Sequence, residues 1–323
     1  MSAFHEAGQD TRSPRDFKVM ALELAEFIIG VVVVAALFRI FLFQSFSISG
    51  TVMDNTLLPG DRIFVNKFIY GPLVPCTGHR AFTIKNPSPG DVVAFRSLDD
   101  NSRFSVLRCV AGPGDMVEIA KKKCRINGAE YLFPASALAG DEFQIDARYS
   151  PRDNLEKVAV PAKDDVVRTD SLSLYGFDCL VSLIRQENPD VRVSTTTDLL
   201  VNGAVCDNLM LAELMASYRR TNASLNFDTM TWIELRNVRN FLVARNDSSS
   251  YRFRRALYMD GHPVREYTVT SDCYFLISDN WDQGPDSRYF GPISGRRILG
   301  RVSCVYWSAD TNAIHWKRVL RFI

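Results

Sequence analysis

The residues that could perform catalysis in this chain lie in a short segment that follows a hydrophobic stretch. Residues 48–61 read ISGTVMDNTLLPGD, with a hydroxyl at Thr51 and a valine at Val52. A hydroxyl oxygen can attack a carbonyl once a neighbouring base takes its proton, whereas a valine has neither a lone pair nor a transferable proton. The hydroxyl of Thr51 could therefore take part in such chemistry, whereas the side chain of Val52 could not.

Metal and nucleic-acid chemistry are disfavoured by the composition. None of the seven cysteines lies in a CxxC pair, so we predict no zinc site and no cofactor. Their odd number leaves at least one thiol unpaired within the chain, and the sequence leaves the pairing open. The net charge is only +1 and no basic stripe interleaves with aromatic residues, which argues against nucleic acid as a partner. The one dense basic cluster, Lys121–Lys123, is interpreted as the solvated flank of a hairpin.

The hydrophobic stretch predicts a membrane anchor. Phe27 to Phe38 contains no polar side chain, and a span over residues 24–43 gives roughly 20 residues, enough to cross a bilayer as a helix. Arg39 lies near one end, from where its stem can carry the charge to the interface. Two alternatives remain open, namely a cleaved secretory signal that exits at Ser45–Ser47 and a buried core helix.

The charges before this stretch predict its orientation. Arg12, Arg15 and Lys18 precede the apolar run, which favours a cytoplasmic location for residues 1–23. The remainder of the chain would then face the extracytoplasmic, or periplasmic, side of the inner (cytoplasmic) membrane, held there by a single pass.

The rest of the chain is dominated by strand and turn signals. Runs such as residues 62–68, 90–96 and 106–111 are separated by turns rich in Gly, Pro and Asp. Asn127-Gly128 and Asn202-Gly203 are hairpin signals, and Asp260-Gly261 is a weaker one. The predicted fold class is mainly β, a folded-over antiparallel sheet with barrel-like closure.

The middle of the chain differs in pattern. Apolar residues at helical spacing predict a helix over residues 172–187 and a second over residues 208–219. We interpret residues 134–264 as a small α+β insertion. The β-domain would then comprise residues 44–133 and 265–323.

Five segments in order resemble type I signal peptidases, the membrane-anchored proteases that remove leader peptides from exported bacterial proteins. They are the anchor, residues 48–71, residues 90–95, residues 108–118 and residues 278–288. In the second segment the matching residues are Met53, Thr56, Leu57, Gly60, Asp61, Val65, Lys67, Tyr70 and Gly71. The resemblance covers about residues 24–131 and 266–323, and it implies the Ser–Lys dyad of peptidase family S26.

The resemblance places non-reactive residues at the positions of the dyad. Val52 falls on the nucleophile, Leu107 on the general base and Gly284 on the serine that supports the lysine. Gly50, Thr51, Met53 and Ser278 would line the site. Residues with a structural role are implied to be kept, namely Arg108, Asp279, Asn280, Asp286, Ser287 and Arg288, with a charge pair between Asp279 and Arg288 as a hypothesis.

These substitutions predict a membrane-anchored, signal-peptidase-like protein of the export pathway that has lost catalysis. Binding of extended signal or export peptides is the predicted remaining role, with an exported preprotein or an active signal peptidase as partner. The alternatives are an active signal peptidase with a relocated nucleophile at Thr51 or Ser278, an inactivated variant of one, or an unrelated β-protein on a membrane stalk. Thr51 would point away from the site if its segment were extended, and none of the histidines (His5, His79, His262 and His315) lies in a matching segment.

Overall fold

A computed structural model describes residues 14–41, 43–54, 56–72, 80–100, 102–133, 151–206, 210, 226–246, 248–310 and 313–323. The predicted helix over residues 208–219 lies outside this part of the chain, apart from Met210. Cys76, His5, His79 and the start of the predicted cytoplasmic segment also lie outside it. The other six cysteines are all free thiols (Cys109, Cys124, Cys179, Cys206, Cys273 and Cys304).

The N-terminal element is a long helix, α1 (Pro14–Phe41). Its apolar side chains between Val19 and Val34 are more than half exposed in this structure, Phe27 at 70%. Among the residues that the structure describes, no helix is both long enough and apolar enough to cross a membrane. The anchor over residues 24–43 therefore stays a prediction.

The main body is an antiparallel sheet of eight strands, in the order β1-β2-β17-β3-β4-β15-β16 with β18 paired to β17. These strands are β1 (Phe43–Ser47), β2 (Asp61–Asn66), β3 (Val92–Arg96), β4 (Phe104–Ala111), β15 (Cys273–Ile277), β16 (Ile293–Ser294), β17 (Ile298–Ser308) and β18 (Arg321–Phe322). Apolar residues fill β3 and the end of β4 almost without interruption, because both faces of these central strands are covered. The predicted mainly β class is confirmed.

A second, four-stranded sheet continues from the first through the turn at residues 112–115. Its order is β7-β6-β5-β8, comprising β5 (Met116–Ala120), β6 (Lys123–Ile126), β7 (Ala129–Glu130) and β8 (Asn154–Ala159). A two-stranded ribbon joins β9 (Val166–Arg168) to β14 (Glu266–Thr268). The pairing of β8 with β5 means that the predicted insertion begins with strands that extend the β-domain.

The rest of the insertion packs two helices on a sheet. The helices are α2 (Leu174–Glu187) and α3 (Trp232–Arg245), and the sheet contains β10 (Val193–Val201), β11 (Ala204–Val205), β12 (Tyr251–Met259) and β13 (His262–Val264). The periodicity identified α2 but not α3. Helix α3 begins at a capping box in which Thr231 and Glu234 exchange hydrogen bonds, which is the local signal that could have revealed it.

Two-residue turns set the register of the hairpins. Asn127-Gly128, Asn202-Gly203 and Asp260-Gly261 all adopt positive φ angles and close hairpins between directly paired residues, as predicted. Lys121-Lys122 forms a fourth such turn, with φ angles of 50° and 62°. The lysine cluster was expected to flank a hairpin, but its first two residues are the turn itself.

Candidate functional site

Residues 50–54, 56 and 57 form consecutive turns rather than an extended strand. The amide of Asp54 donates to the Thr51 carbonyl, and the amide of Leu57 donates to the Met53 carbonyl. Thr51 is exposed, Val52 is half-buried and Met53 is buried in the core. The backbone at Thr51 is therefore not extended, as the argument against Thr51 assumed. Met53, which was predicted to line the site, packs in the hydrophobic core.

Val52 lies directly against Gly284. A Cβ atom added to Gly284 would stand 2.7 Å from Val52 Cγ2 and 3.2 Å from Cγ1, so the absence of a side chain at position 284 makes room for the valine. The amide of Asn280 donates to the Val52 carbonyl at 3.0 Å, and its side-chain amide donates to the Thr51 carbonyl at 3.1 Å. Val52 and Gly284, which the resemblance aligns with the nucleophile and the supporting serine, are thus in contact.

Leu107 is the third of these positions and lies on β4. It is 2% exposed, pairs with Val93 across the sheet, and belongs to the hydrophobic cluster on which Val52 packs. The structure thus brings Val52 and Leu107 into one apolar cluster, with Gly284 at its edge.

Arg108, the next residue on β4, forms a buried ion pair that joins three segments. Its Nε and one terminal nitrogen donate to the two carboxylate oxygens of Asp279, each at 2.6 Å, and the pair is almost fully buried. The same guanidinium reaches Thr56 Oγ1 at 3.3 Å and the Gly90 carbonyl at 2.7 Å. The hypothesis that Asp279 pairs with Arg288 was therefore wrong, because Arg108 takes both of its oxygens.

Arg288 instead pairs with Asp286, two residues away in the same loop. Its guanidinium donates to both carboxylate oxygens of Asp286 and to the Trp281 carbonyl, and it stacks 4.4 Å above the Trp281 ring. Burial alone would lower the pKa of Arg288, but the attraction of Asp286 raises it above its ordinary value. Asp286 therefore balances the charge of Arg288 inside the protein, and the Nη1 atom of Arg288 is left without a hydrogen-bond partner.

Ser278 belongs to this network and is closed to solvent. Its hydroxyl lies 2.9 Å from both the Asn280 carbonyl and an Asp286 carboxylate oxygen, and the residue is 0% exposed. Ser287 is equally buried and accepts a hydrogen bond from the Leu276 amide through its hydroxyl. Ser278 thus stabilises the loop and is not available to line a peptide site or to act as a nucleophile.

Asp54 was not singled out from the sequence, and Trp281 was noted there only as a departure from the arginine of the resembling segment. Burial raises the pKa of Asp54, against a smaller opposing effect of its hydrogen bond with Asn280. Trp281 is 3% exposed, donates from its indole to the Arg152 carbonyl and covers Arg288. The signal for Trp281 was its departure from the arginine that the resembling segment carries at this position.

The contact between Val52 and Gly284 leads to a stability prediction. Gly284→Ser should lower the free energy of unfolding by about 2–4 kcal/mol, since the new Cβ clashes with Val52 and the φ of +80° disfavours a side chain. Gly261→Ser is the matched control, because Gly261 has a φ of +83° but open space around it. Urea unfolding of the full chain should show the larger loss at 284 and a partial recovery when Val52→Ala is added. Equal losses at the two glycines would contradict the contact.

No group of three or more His, Cys, Asp or Glu residues in the described part of the chain is arranged to hold a metal ion. The site is instead a set of tightly bonded loops around an apolar centre. Its framework is an antiparallel β-domain with a buried Arg–carboxylate pair beside the turn that contains Val52.

The chain belongs to the signal peptidase family, peptidase S26. The family model matches residues 21–176 and 190–307, which include positions 52, 107 and 284.

Curated relatives agree with this membership. The chain is 36% identical to a signal peptidase I of Buchnera aphidicola subsp. Baizongia pistaciae over 90% of its own length and 78% of the relative's. It is 22% identical to a signal peptidase I of Haemophilus influenzae over 94% of its own length and 74% of the relative's. A crystal structure of a signal peptidase I from Enterococcus faecalis matches 67% of this chain and 97% of that chain, with 16% identity and a TM-score of 0.23.

Proposed function

We propose that this protein is a signal-peptidase-like component of protein export that does not cleave peptides. The observation that carries the proposal is the contact of Val52 with Gly284 on the cluster that contains Leu107. Hydrolysis by a Ser–Lys dyad needs a hydroxyl that attacks and a neutral amine that takes its proton. Hydrocarbon occupies both positions here, and no side chain stands at the third.

The surrounding hydrogen bonds support loss of catalysis without loss of the framework. Arg108 still joins β4 to Asp279 and Thr56, and Asn280 still holds the backbone of Thr51 and Val52. The buried hydroxyl of Ser278 is committed to Asp286 and the Asn280 carbonyl. The two hydroxyls considered as replacements therefore differ, since only Thr51 is exposed. Among the described residues, no hydrogen bond joins the Thr51 hydroxyl to a lysine.

We expect the full chain in detergent to leave a signal-peptide substrate uncleaved. Product formation should stay at the level of a blank purified from the same host, as measured by mass spectrometry of the peptide. A Thr51→Ala variant is the matched control, since Thr51 is the exposed hydroxyl nearest the substituted position. Cleavage that the Thr51→Ala change abolishes would contradict the proposal and favour a relocated nucleophile.

Restoration of the reacting groups tests the same assignment in the opposite direction. We expect Val52→Ser together with Leu107→Lys to produce measurable cleavage, whereas each single change should do little because the two groups act as a unit. The readout is the same peptide assay, with circular dichroism to verify folding. A folded but inactive double variant, still inactive after Gly284→Ser is added, would contradict the assignment of these positions.

We infer that the retained framework binds extended peptides. Strand β1 lies at the edge of the main sheet and pairs, among the described strands, only with β2. An open strand edge can pair with an extended peptide through main-chain hydrogen bonds. A fluorescent signal peptide should therefore bind, and a variant of it with charged residues substituted into its apolar run should bind less. Equal affinities would contradict this role. An exported preprotein and an active signal peptidase are the partners we propose.

Membrane attachment is supported by two apolar surfaces. Helix α1 exposes apolar side chains along residues 19–34, and the C-terminal segment exposes Trp316, Leu320 and Phe322 by at least 67% each. Exposed apolar patches of this kind mark membrane or partner contacts. We expect the full chain to float with phospholipid vesicles. In a variant that lacks residues 1–42, adding Trp316→Ser and Phe322→Ser should weaken vesicle binding. If the two substitutions left the binding of that truncated variant unchanged, the result would contradict a role for the C-terminal surface.

A further inference from the structure

A polar cleft separates the insertion from the β-domain and belongs to neither the Val52 site nor the main sheet edge. Its volume is about 710 Å³, within the range of cavities that hold small organic ligands. The insertion contributes Ser182, Thr195 and Met230, and the β-domain contributes Leu98 and Phe290. The cleft therefore offers hydroxyl groups and apolar surface together.

One buried cation in the cleft has an unused donor. The side chain of Arg255 is only 6% exposed, pairs with Asp178 and stacks 4.3 Å above the Phe177 ring. Its Nε nevertheless has no hydrogen-bond partner. A buried donor without an acceptor is costly, so a ligand oxygen that reached this guanidinium from the cleft would be stabilising.

Charges of both signs line the same cleft without pairing to each other. Arg185 on α2 and the acidic residues Asp99 and Asp228 form no ion pair within the described part of the chain, although one oxygen of Asp228 accepts from the Thr197 amide at 2.6 Å. Arg297 also lines the cleft, so that with the Arg255–Asp178 pair its lining contributes three formal positive charges and three formal negative charges. This balance disfavours a polyanion and favours a ligand that carries one charge of each sign.

We propose that the cleft binds a short zwitterionic peptide. The carboxylate accepts from the guanidinium groups of Arg255 and Arg185, since planar donors suit a carboxylate. The ammonium group lies on the side of Asp228 and Asp99. Leu98, Met230 and Phe290 contact the side chains, and the cavity is larger than a single amino acid needs.

The test uses trialanine as the probe and the full chain in detergent, with binding followed by calorimetric titration. Trialanine should bind at least about tenfold more tightly than N-acetyl-trialanine, which lacks the ammonium, or trialanine amide, which lacks the carboxylate. Equal affinities for trialanine and its N-acetyl derivative would overturn the zwitterion assignment. No binding of trialanine at millimolar concentration would overturn the site.

Variants place the two charges of the probe. Asp228→Asn should reduce the affinity for trialanine to that for N-acetyl-trialanine. Arg255→Lys removes Nε as a donor and should weaken the binding of trialanine about tenfold. Arg185→Gln should weaken it by a similar factor. Arg254→Gln is the matched control, because Arg254 is the neighbour of Arg255 on β12, is 60% exposed and pairs with Asp198 instead. Because Arg185 is exposed, Arg185→Gln should leave the thermal unfolding temperature unchanged. An equal loss of affinity in Arg254→Gln would overturn the proposal.

Discussion

Leu107→Lys should lower the free energy of unfolding by about 4 kcal/mol at pH 7. The leucine is 2% exposed within an apolar cluster, where an ammonium group loses its hydration and gains no carboxylate. Burial would hold the pKa of the new lysine below the unfolded value of about 10.4. The deficit should therefore be complete below the folded pKa and should disappear as the pH rises above the unfolded pKa, where both states are neutral.

Urea unfolding of wild type and variant at pH 7 and pH 10 measures this deficit at each pH. Leu107→Met is the matched control, since it conserves volume and should cost less than about 1.5 kcal/mol at either pH. A deficit in Leu107→Lys that is the same at both pH values would contradict the role of charge and point to packing alone. The result also bears on catalysis, because a base at this position works only if it stays neutral.

Arg108→Gln should cost about 3–5 kcal/mol of stability, because it leaves the carboxylate of Asp279 buried without its partner. Asp279→Asn should be damaging for the complementary reason. The double variant should lose clearly less than the sum of the two single losses, since neither unpaired charge remains. Thermal or urea unfolding of the four proteins in this cycle gives the coupling directly.

An exposed pair supplies the comparison. Arg103 lies 3.4 Å from Asp100 with its side chain 82% exposed, so Arg103→Gln should change stability by no more than about 0.5 kcal/mol. Additive losses at Arg108 and Asp279 would contradict the buried pair. Such a result would also contradict a role of this ion pair in holding the turn that contains Thr56 against β4, because Thr56 is bonded to the same guanidinium.

Much of the fold could be predicted because its signals are local. The Asn-Gly and Asp-Gly turns act through their own φ preferences, so three hairpins closed at the predicted residues. Helix α2 followed from the spacing of its apolar residues. Helix α3 was missed because its apolar residues form a weaker pattern, and its start depends on the side-chain cap between Thr231 and Glu234.

The site was predicted less completely, because its geometry depends on contacts between distant segments. The choice of Arg108 rather than Arg288 as partner of Asp279 depends on β4 lying beside β15, where Arg108 pairs with Ile277. Ser278 carries a hydroxyl in the sequence like any other serine, and only its burial against Asp286 removes it from the candidate nucleophiles.

The sequence by itself determined the residue types at positions 52 and 107, and a hydrocarbon side chain has no proton to transfer in any fold. Tertiary structure decided what those residues do instead. It placed Val52 in the space that Gly284 leaves, joined Leu107 to the same cluster, and created the charged cleft where the insertion meets the β-domain. The physical reason is that chemical identity belongs to each side chain alone, whereas burial, clash and charge compensation depend on the neighbours that folding brings together.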